Sequence, residues 1–333
     1  MNPHSPVRRG APVLLGCLVL LTAALITAPL IGSTSISFAR VFDRSIPFAD
    51  NVDAQIFFLA RWPRAVAAAL VGGTLAAAGV VFQGLLRNPL ATPYTLGVSA
   101  GASLGAMIAI SFGAMSPMGG VASASLAGAL IAVAIVYALA SARHSGLSTT
   151  VLLLAGVTLN AFFSALILFV QYLSGFAETY RALRWLMGDL DVAGYGPLLA
   201  ALPFVLLSFT AFAWLARPLN LLSLGADAAG SRGLDVRLAQ RIAFFSGSIA
   251  TGAAVSVGGP IGFVGIIVPH LVRLVVGADH RLVLPASTLF GAAFLVFCDA
   301  LARTVMAPME LPVGIITALI GGPFFLWILL RRR

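Results

Sequence analysis

From Asn88 to Ala142 the chain carries no charged side chain, and further uncharged stretches run at 11–39, 65–86, 144–177, 192–216, 242–272, 282–298 and 311–330. Runs of this length cannot form the surface of a water-soluble domain, where roughly a quarter of residues are charged. Here charged residues are 9% and hydrophobic residues 60% of 333 positions. A hydrocarbon core about 30 Å thick takes roughly 20 helical residues at about 1.5 Å rise each. The stretch 88–142 must therefore cross twice, turning between Gly113 and Gly120.

The same arithmetic places ten spans, at 11–32, 65–84, 94–112, 119–141, 149–173, 195–216, 241–258, 260–276, 284–302 and 312–330. The fold class is an all-α, polytopic membrane protein with one transmembrane domain over residues 1–333. The first run, behind Arg8 and Arg9, is too long for the apolar part of a typical signal peptide and reads as a retained span.

An even number of spans puts both termini on one side. The cytoplasmic assignment collects Arg87, Arg143, Arg217, Arg232, Arg237, Arg241, Arg273, Arg281 and the terminal arginines inside. A net charge of +9 would suggest nucleic acid in a soluble protein; here it sets orientation, and no nucleic-acid partner is expected. Cys17 and Cys298 both lie in apolar segments, so neither a disulfide framework nor a paired zinc site is available.

Gly97, Gly101 and Gly105 lie four apart on one helix face, and Gly72 to Gly79 is nearly all Gly and Ala. Such stripes let helix backbones approach closely, and packing is the favoured reading. A faint echo relates Gly79–Pro89 to Gly259–Pro269, a pattern shared with inverted repeats and equally with chance in Gly-rich apolar sequence. Two segments exceed a turn. In the external segment 175–194, Tyr180, Leu183, Trp185, Leu186 and Met187 alternate with charges, as in an interfacial helix. In the cytoplasmic stretch Arg217–Arg241, leucines outside any span point to a protein partner.

Several blocks in this order resemble the FecCD family of ABC permeases: RWPR at 61–64, QGLLRNPLATPYTLGVSAGASLGA at 83–106, RPLNLLSLG at 217–225, GPIGFVGIIVPHLVRLVVGADHRLVLP at 259–285, and CDALAR with ELPVGIITALIGGPFF at 298–325. The resemblance implies a type II ABC importer permease in the bacterial inner membrane. It would pair with a second copy or a paralogue, with two ATP-binding cassette ATPase subunits, and with an extracytoplasmic substrate-binding protein. The expected cargo is an iron chelate (siderophore or haem) or, second, cobalamin. A Walker A loop needs a lysine on the phosphates, and this chain has no lysine. The chain is therefore expected to be a transport subunit without its own ATPase site or cofactor, ATP and Mg residing on the partner subunit.

The resemblance also implies roles for particular residues. Arg61, Arg64 and Arg303 would face acidic groups of the binding protein, although Asp299, one helical turn before Arg303, suggests an internal ion pair. Segment 219–235 would couple to the ATPase, with Leu219, Asn220, Leu221, Leu222 and Leu224 at its start. Leu221, Leu222 and Leu224 would be its anchors, Gly225 its turn, and Ala229 and Gly233 its points of close approach. Ser148, Thr149 and Thr150 are candidates for a cytoplasmic gate, though Ser and Thr also cap helices. Asn160 and Gln171 are polar groups that either line a pathway or hydrogen-bond within the bundle. His270 and His280 read as structural, and no metal site is expected.

Two other classes compete. A secondary transporter driven by an ion gradient needs ionisable groups near the bilayer midplane, and Asp299 is the one acid inside a span. A membrane enzyme needs clustered catalytic groups, which the sequence does not show.

Overall fold

The computed structural model describes residues 6–32, 34–113, 120–141, 149–192 and 194–331. In chain order these form α1 (Pro6–Thr27), a 3-10 turn at Ala28–Leu30, α2 (Phe38–Val41), α3 (Val52–Gln55), a π-helical segment at Ile56–Arg61, and α4 (Trp62–Leu86). A 3-10 turn at Pro93–Leu96 then precedes α5 (Val98–Ser111), α6 (Gly120–Ser141), α7 (Thr149–Leu173), α8 (Phe176–Leu186) and α9 (Gly196–Leu222). The last elements are α10 (Ala226–Gly230), α11 (Val236–Gly258), α12 (Val264–Val276), α13 (His280–Ala302) and α14 (Val313–Arg331). No strand occurs among the described residues, and each of the ten expected spans falls on a helix. Among the described residues, six helical segments are long and apolar enough to cross a membrane.

Helix α4 is the axis of the bundle, buried along almost its whole length and packed chiefly on α13 and α11. Apolar burial cannot drive this packing where lipid is as apolar as leucine; close van der Waals fit between small residues does. A Cβ on Gly72 would lie 2.3 Å from the Gly291 carbonyl oxygen of α13, and one on Gly79 would lie 2.1 Å from the Gly265 carbonyl oxygen of α12. On α5, Gly101 and Gly105 meet Gly128 and Ala124 of α6 in the same way. The small-residue stripes are therefore helix crossings. Arg64 bonds Asp299 at one end of the antiparallel α4–α13 pair, and Gly84 lies against His280 at the other. These are called below the Arg64 end and the Gly84 end.

Local signals set the helix starts. Asp235 caps α11 by accepting from the Leu238 amide at 3.0 Å, and Asp279 caps α13 by accepting from the Arg281 amide at 3.0 Å. Arg87, in the left-handed region at φ 48°, ends α4. Segment 175–194 forms the short amphipathic α8, with Phe176 and Tyr180 exposed, followed by a tuck that buries Leu190.

Two spans depart from expectation. The sequence predicts 94–112 and 260–276 as helical spans, but α5 begins only at Val98 and α12 only at Val264. At about 1.5 Å per residue these helices are roughly 20 Å long, short of the hydrocarbon thickness. Pro93 and Gly97 (φ 80°) interrupt the first, and Gly259 (φ 67°), Pro260 and Phe263 (φ 67°) interrupt the second.

Candidate functional site

Irregular backbone at membrane depth is tolerated only where it is buried in protein or lines a cavity, because lipid cannot satisfy its amides and carbonyls. The two helix interruptions meet each other inside the bundle. The Tyr94 hydroxyl donates to the Ile261 carbonyl at 2.5 Å, joining one break to the other. Asn160, in the middle of α7, donates from Nδ2 to the Tyr94 carbonyl at 2.8 Å. One turn earlier Gly156 admits the backbone of Thr95 and Leu96, which a Cβ there would meet at 2.3 Å and 2.6 Å. Asn160 thus hydrogen-bonds within the bundle. Gln171, half-buried near the end of α7, shares no bond with this junction. On the far side, Phe263 lies against Gly321 of α14, and the Gly188 turn after α8 packs on Ile261. Elements α5, α7, α8, α12 and α14 therefore converge on two short non-helical segments, an arrangement in which small shifts of one helix reach the others.

Gln83 and Arg273 tie the same region to α4. Gln83 donates from Nε2 to the Gly265 carbonyl at 3.0 Å and accepts from the Arg273 guanidinium.

At the Arg64 end, the three arginines expected to face a docking protein are only 6% (Arg61), 8% (Arg64) and 2% (Arg303) exposed. Arg64 Nε donates to Asp299 Oδ1 at 2.8 Å and its Nη1 to Glu310 Oε2 at 2.6 Å, while Arg303 Nε lies 3.1 Å from Asp299 Oδ2. The remaining donors go to backbone. Arg303 bonds the Ala28 and Ile31 carbonyls at 3.0 Å each, and Arg61 bonds the carbonyls of Pro29 (3.2 Å) and Thr34. These carbonyls lie in the 3-10 turn that follows α1 and in the chain just beyond it, where acceptors no longer have a regular helical partner. Gly32 leaves room for the Arg61 guanidinium, which a Cβ would meet at 2.7 Å. The internal pairing of Asp299 with Arg303 was legible from their spacing. Glu310 as a partner of Arg64, and the α1 end as the target of Arg61, had no local signal. In this chain the three guanidiniums clamp α1, α4 and α13 together, and none presents an open charge.

At the Gly84 end the expected coupling segment divides. Leu219, Leu222 and Ala229 are buried within the chain, and Leu221 is half-buried, so the expected anchor Leu222 and the expected contact Ala229 belong to the core instead. Helix α9 simply runs on to Leu222, carrying its buried stripe past the end of the expected span. Asn220 is likewise internal, donating to Asp279 Oδ1 at 2.6 Å and accepting from the His280 amide at 2.9 Å. The more open part is the turn beyond it: Leu224 at 54%, the half-buried Gly225 (φ 108°), and Gly233 (φ 83°), where an added Cβ would meet nothing within 4 Å. Of the gate candidates, Ser148 lies outside the described residues, Thr149 opens α7, and Thr150 is exposed. His270 stacks edge-on to Phe324, His280 Nδ1 lies 2.7 Å from Asn220 Oδ1, and no cluster of metal-ligating side chains occurs among the described residues.

Residues 19–331 match the FecCD transport family. The chain belongs to that family. It is 39% identical over 321 residues to the hemin transport system permease protein HmuU of Yersinia pestis, covering 95% of this chain and 94% of that one. It is 46% identical over 273 residues to the cobalamin import system permease protein BtuC of Halobacterium salinarum, covering 82% and 73%. The fold matches that of a chain ascribed to a metal-chelate type ABC transporter in an inward-facing conformation, with a TM-score of 0.82 at 33% identity over 96% of this chain and 99% of that one. This FecCD protein is a multi-pass membrane permease subunit of an ABC importer, with the type II importer fold.

Proposed function

We propose that this FecCD permease carries a bulky metal chelate, an iron chelate (siderophore or haem) or alternatively cobalamin, from a binding protein into the cytoplasm. The permeases it resembles over 73% or more of their length carry such names, and the "Probable siderophore transport system permease protein YfiZ" of Bacillus subtilis is 35% identical over 323 residues. The observation that carries the mechanism is the junction of two helix breaks through Tyr94, Ile261 and Asn160. Non-helical segments bonded to each other between packed helices are places where those helices can shift against one another, as the rocking motions of alternating access involve. The exposed turn Leu224–Gly225 with α10 offers the ATPase subunit an apolar contact at the end assigned to the cytoplasm, together with both termini. Two such ATPase subunits would serve a pair of permeases, a homodimer or this chain with a paralogue. An ion-gradient mechanism finds no support, since Asp299 is engaged by two arginines.

The test is reconstitution in vesicles with a separate ATPase subunit and candidate binding proteins loaded with a siderophore, haem or cobalamin. The chain alone should hydrolyse no ATP, and one loaded binding protein should stimulate hydrolysis and uptake together. ATP turnover by the isolated chain, or uptake driven by an ion gradient without ATP, refutes the reading.

A further inference from the structure

A groove of about 820 Å³ lies between α9, α13 and α4 on the side of the bundle, apart from the helix-break junction. Its walls are apolar, with Phe209, Trp214, Leu284 and Leu289 among them, and two arginines, Arg217 and Arg281, stand at its Gly84 end. Both arginines are exposed, and neither joins an ion pair among the described residues. They are neighbours because Asn220, one turn after Arg217, bonds Asp279 and the His280 amide, so the end of α9 is pinned to the start of α13. Asp279, which caps α13, interacts electrostatically with Arg281 without an ion pair, and its Oδ1 is already taken by Asn220 Nδ2 and the Arg281 amide.

A space with apolar walls between membrane-spanning helices and two exposed guanidiniums without an ion pair at one end has the polarity profile of a phospholipid: acyl chains along the wall, phosphate at the arginines. A zwitterionic headgroup would bring its own cation to that end, whereas an anionic one would not. We propose that this groove binds an anionic phospholipid, its acyl chains against Trp214, Leu284 and Leu289 and its phosphate on Arg217 and Arg281. Basic pockets between transmembrane helices recognise anionic headgroups by this combination of charge and shelter. Because the site joins the last turns of α9 to the start of α13, its occupancy would brace the segment that leads into the exposed Leu224 turn.

Trp214 supplies the probe. The full chain is placed in phosphatidylcholine vesicles containing increasing fractions of brominated phosphatidylglycerol or brominated phosphatidylcholine, and the Trp214 emission is taken as the difference between the parent and Trp214→Phe. Brominated phosphatidylglycerol should quench that emission at a fraction roughly fivefold lower for each arginine, about thirtyfold for the pair. Arg217→Gln with Arg281→Gln should equalise the two lipids, and Arg217→Lys with Arg281→Lys should keep most of the preference. Both arginines are exposed, so these variants should fold. Equal quenching by the two lipids in the parent, or a preference that survives the double Gln change, overturns the proposal. Abolition of the preference by inorganic phosphate would make this a site for a free anion and overturn it as well.

Discussion

Replacing Asp299 with Asn tests the arginine clamp without touching any exposed surface, since Asp299 is 1% exposed. The change leaves Arg64 and Arg303 facing each other with the Glu310 carboxylate, 35% exposed, as the remaining acid. Breaking a buried pair by removing one partner costs about 3–5 kcal/mol, because the other charge stays buried without compensation. For a chain of this size about 2 °C is lost per kcal/mol, so thermal unfolding should fall by about 6–10 °C. Glu310→Gln removes a pair that solvent partly screens and should cost about 1 kcal/mol or less, within about 2 °C. Cys17 and Cys298 are both buried free thiols, so a thiol-reactive fluorophore in detergent reports unfolding directly. An Asp299→Asn transition within 2 °C of the parent would refute the clamp and return the arginines to a role at an outer surface. Restoration by Asp299→Glu, with the charge kept, would show that charge rather than shape is at stake.

Leu224→Asp should abolish capture of the ATPase subunit while leaving the thermal transition within about 2 °C, whereas Leu219→Asp, which buries a carboxylate, should prevent accumulation of folded protein; equal behaviour of the two in pull-down and expression would contradict the division of this segment. Gly79→Val places side-chain atoms where the Gly265 carbonyl stands and should separate α4 from α12, lowering the unfolding temperature by several degrees; an unchanged transition would show that the crossing can relax. Asn160→Ala removes one interhelical hydrogen bond, worth about 0.6 kcal/mol in membrane bundles, so stability should barely move while stimulated transport falls severalfold. Unimpaired uptake would remove the junction from the mechanism.

The absence of charge over long stretches determined by itself that this chain is a helical membrane bundle, because no other structure satisfies backbone amides in lipid at these lengths. Motif order named the family, glycine spacing marked the crossings, and the i to i+4 spacing of Asp299 and Arg303 foretold their pairing. Those signals are local or additive along one chain, and they survive without knowing what lies opposite. The tertiary structure decided the rest. Arg61 and Arg64 turned inward because the carbonyls that follow α1, and the acids Asp299 and Glu310 far away in sequence, lie beside them. Leu219 and Leu222 became core because α9 continues past its apolar span and packs on its neighbours. The interruptions at Pro93, Gly97, Gly259 and Pro260 fell inside expected spans, and that two interruptions separated by half of the chain share a hydrogen bond from Tyr94 to Ile261 depends on how the helices around them cross. Contacts between distant segments are fixed by three-dimensional packing, and spacing along the chain carries no record of them.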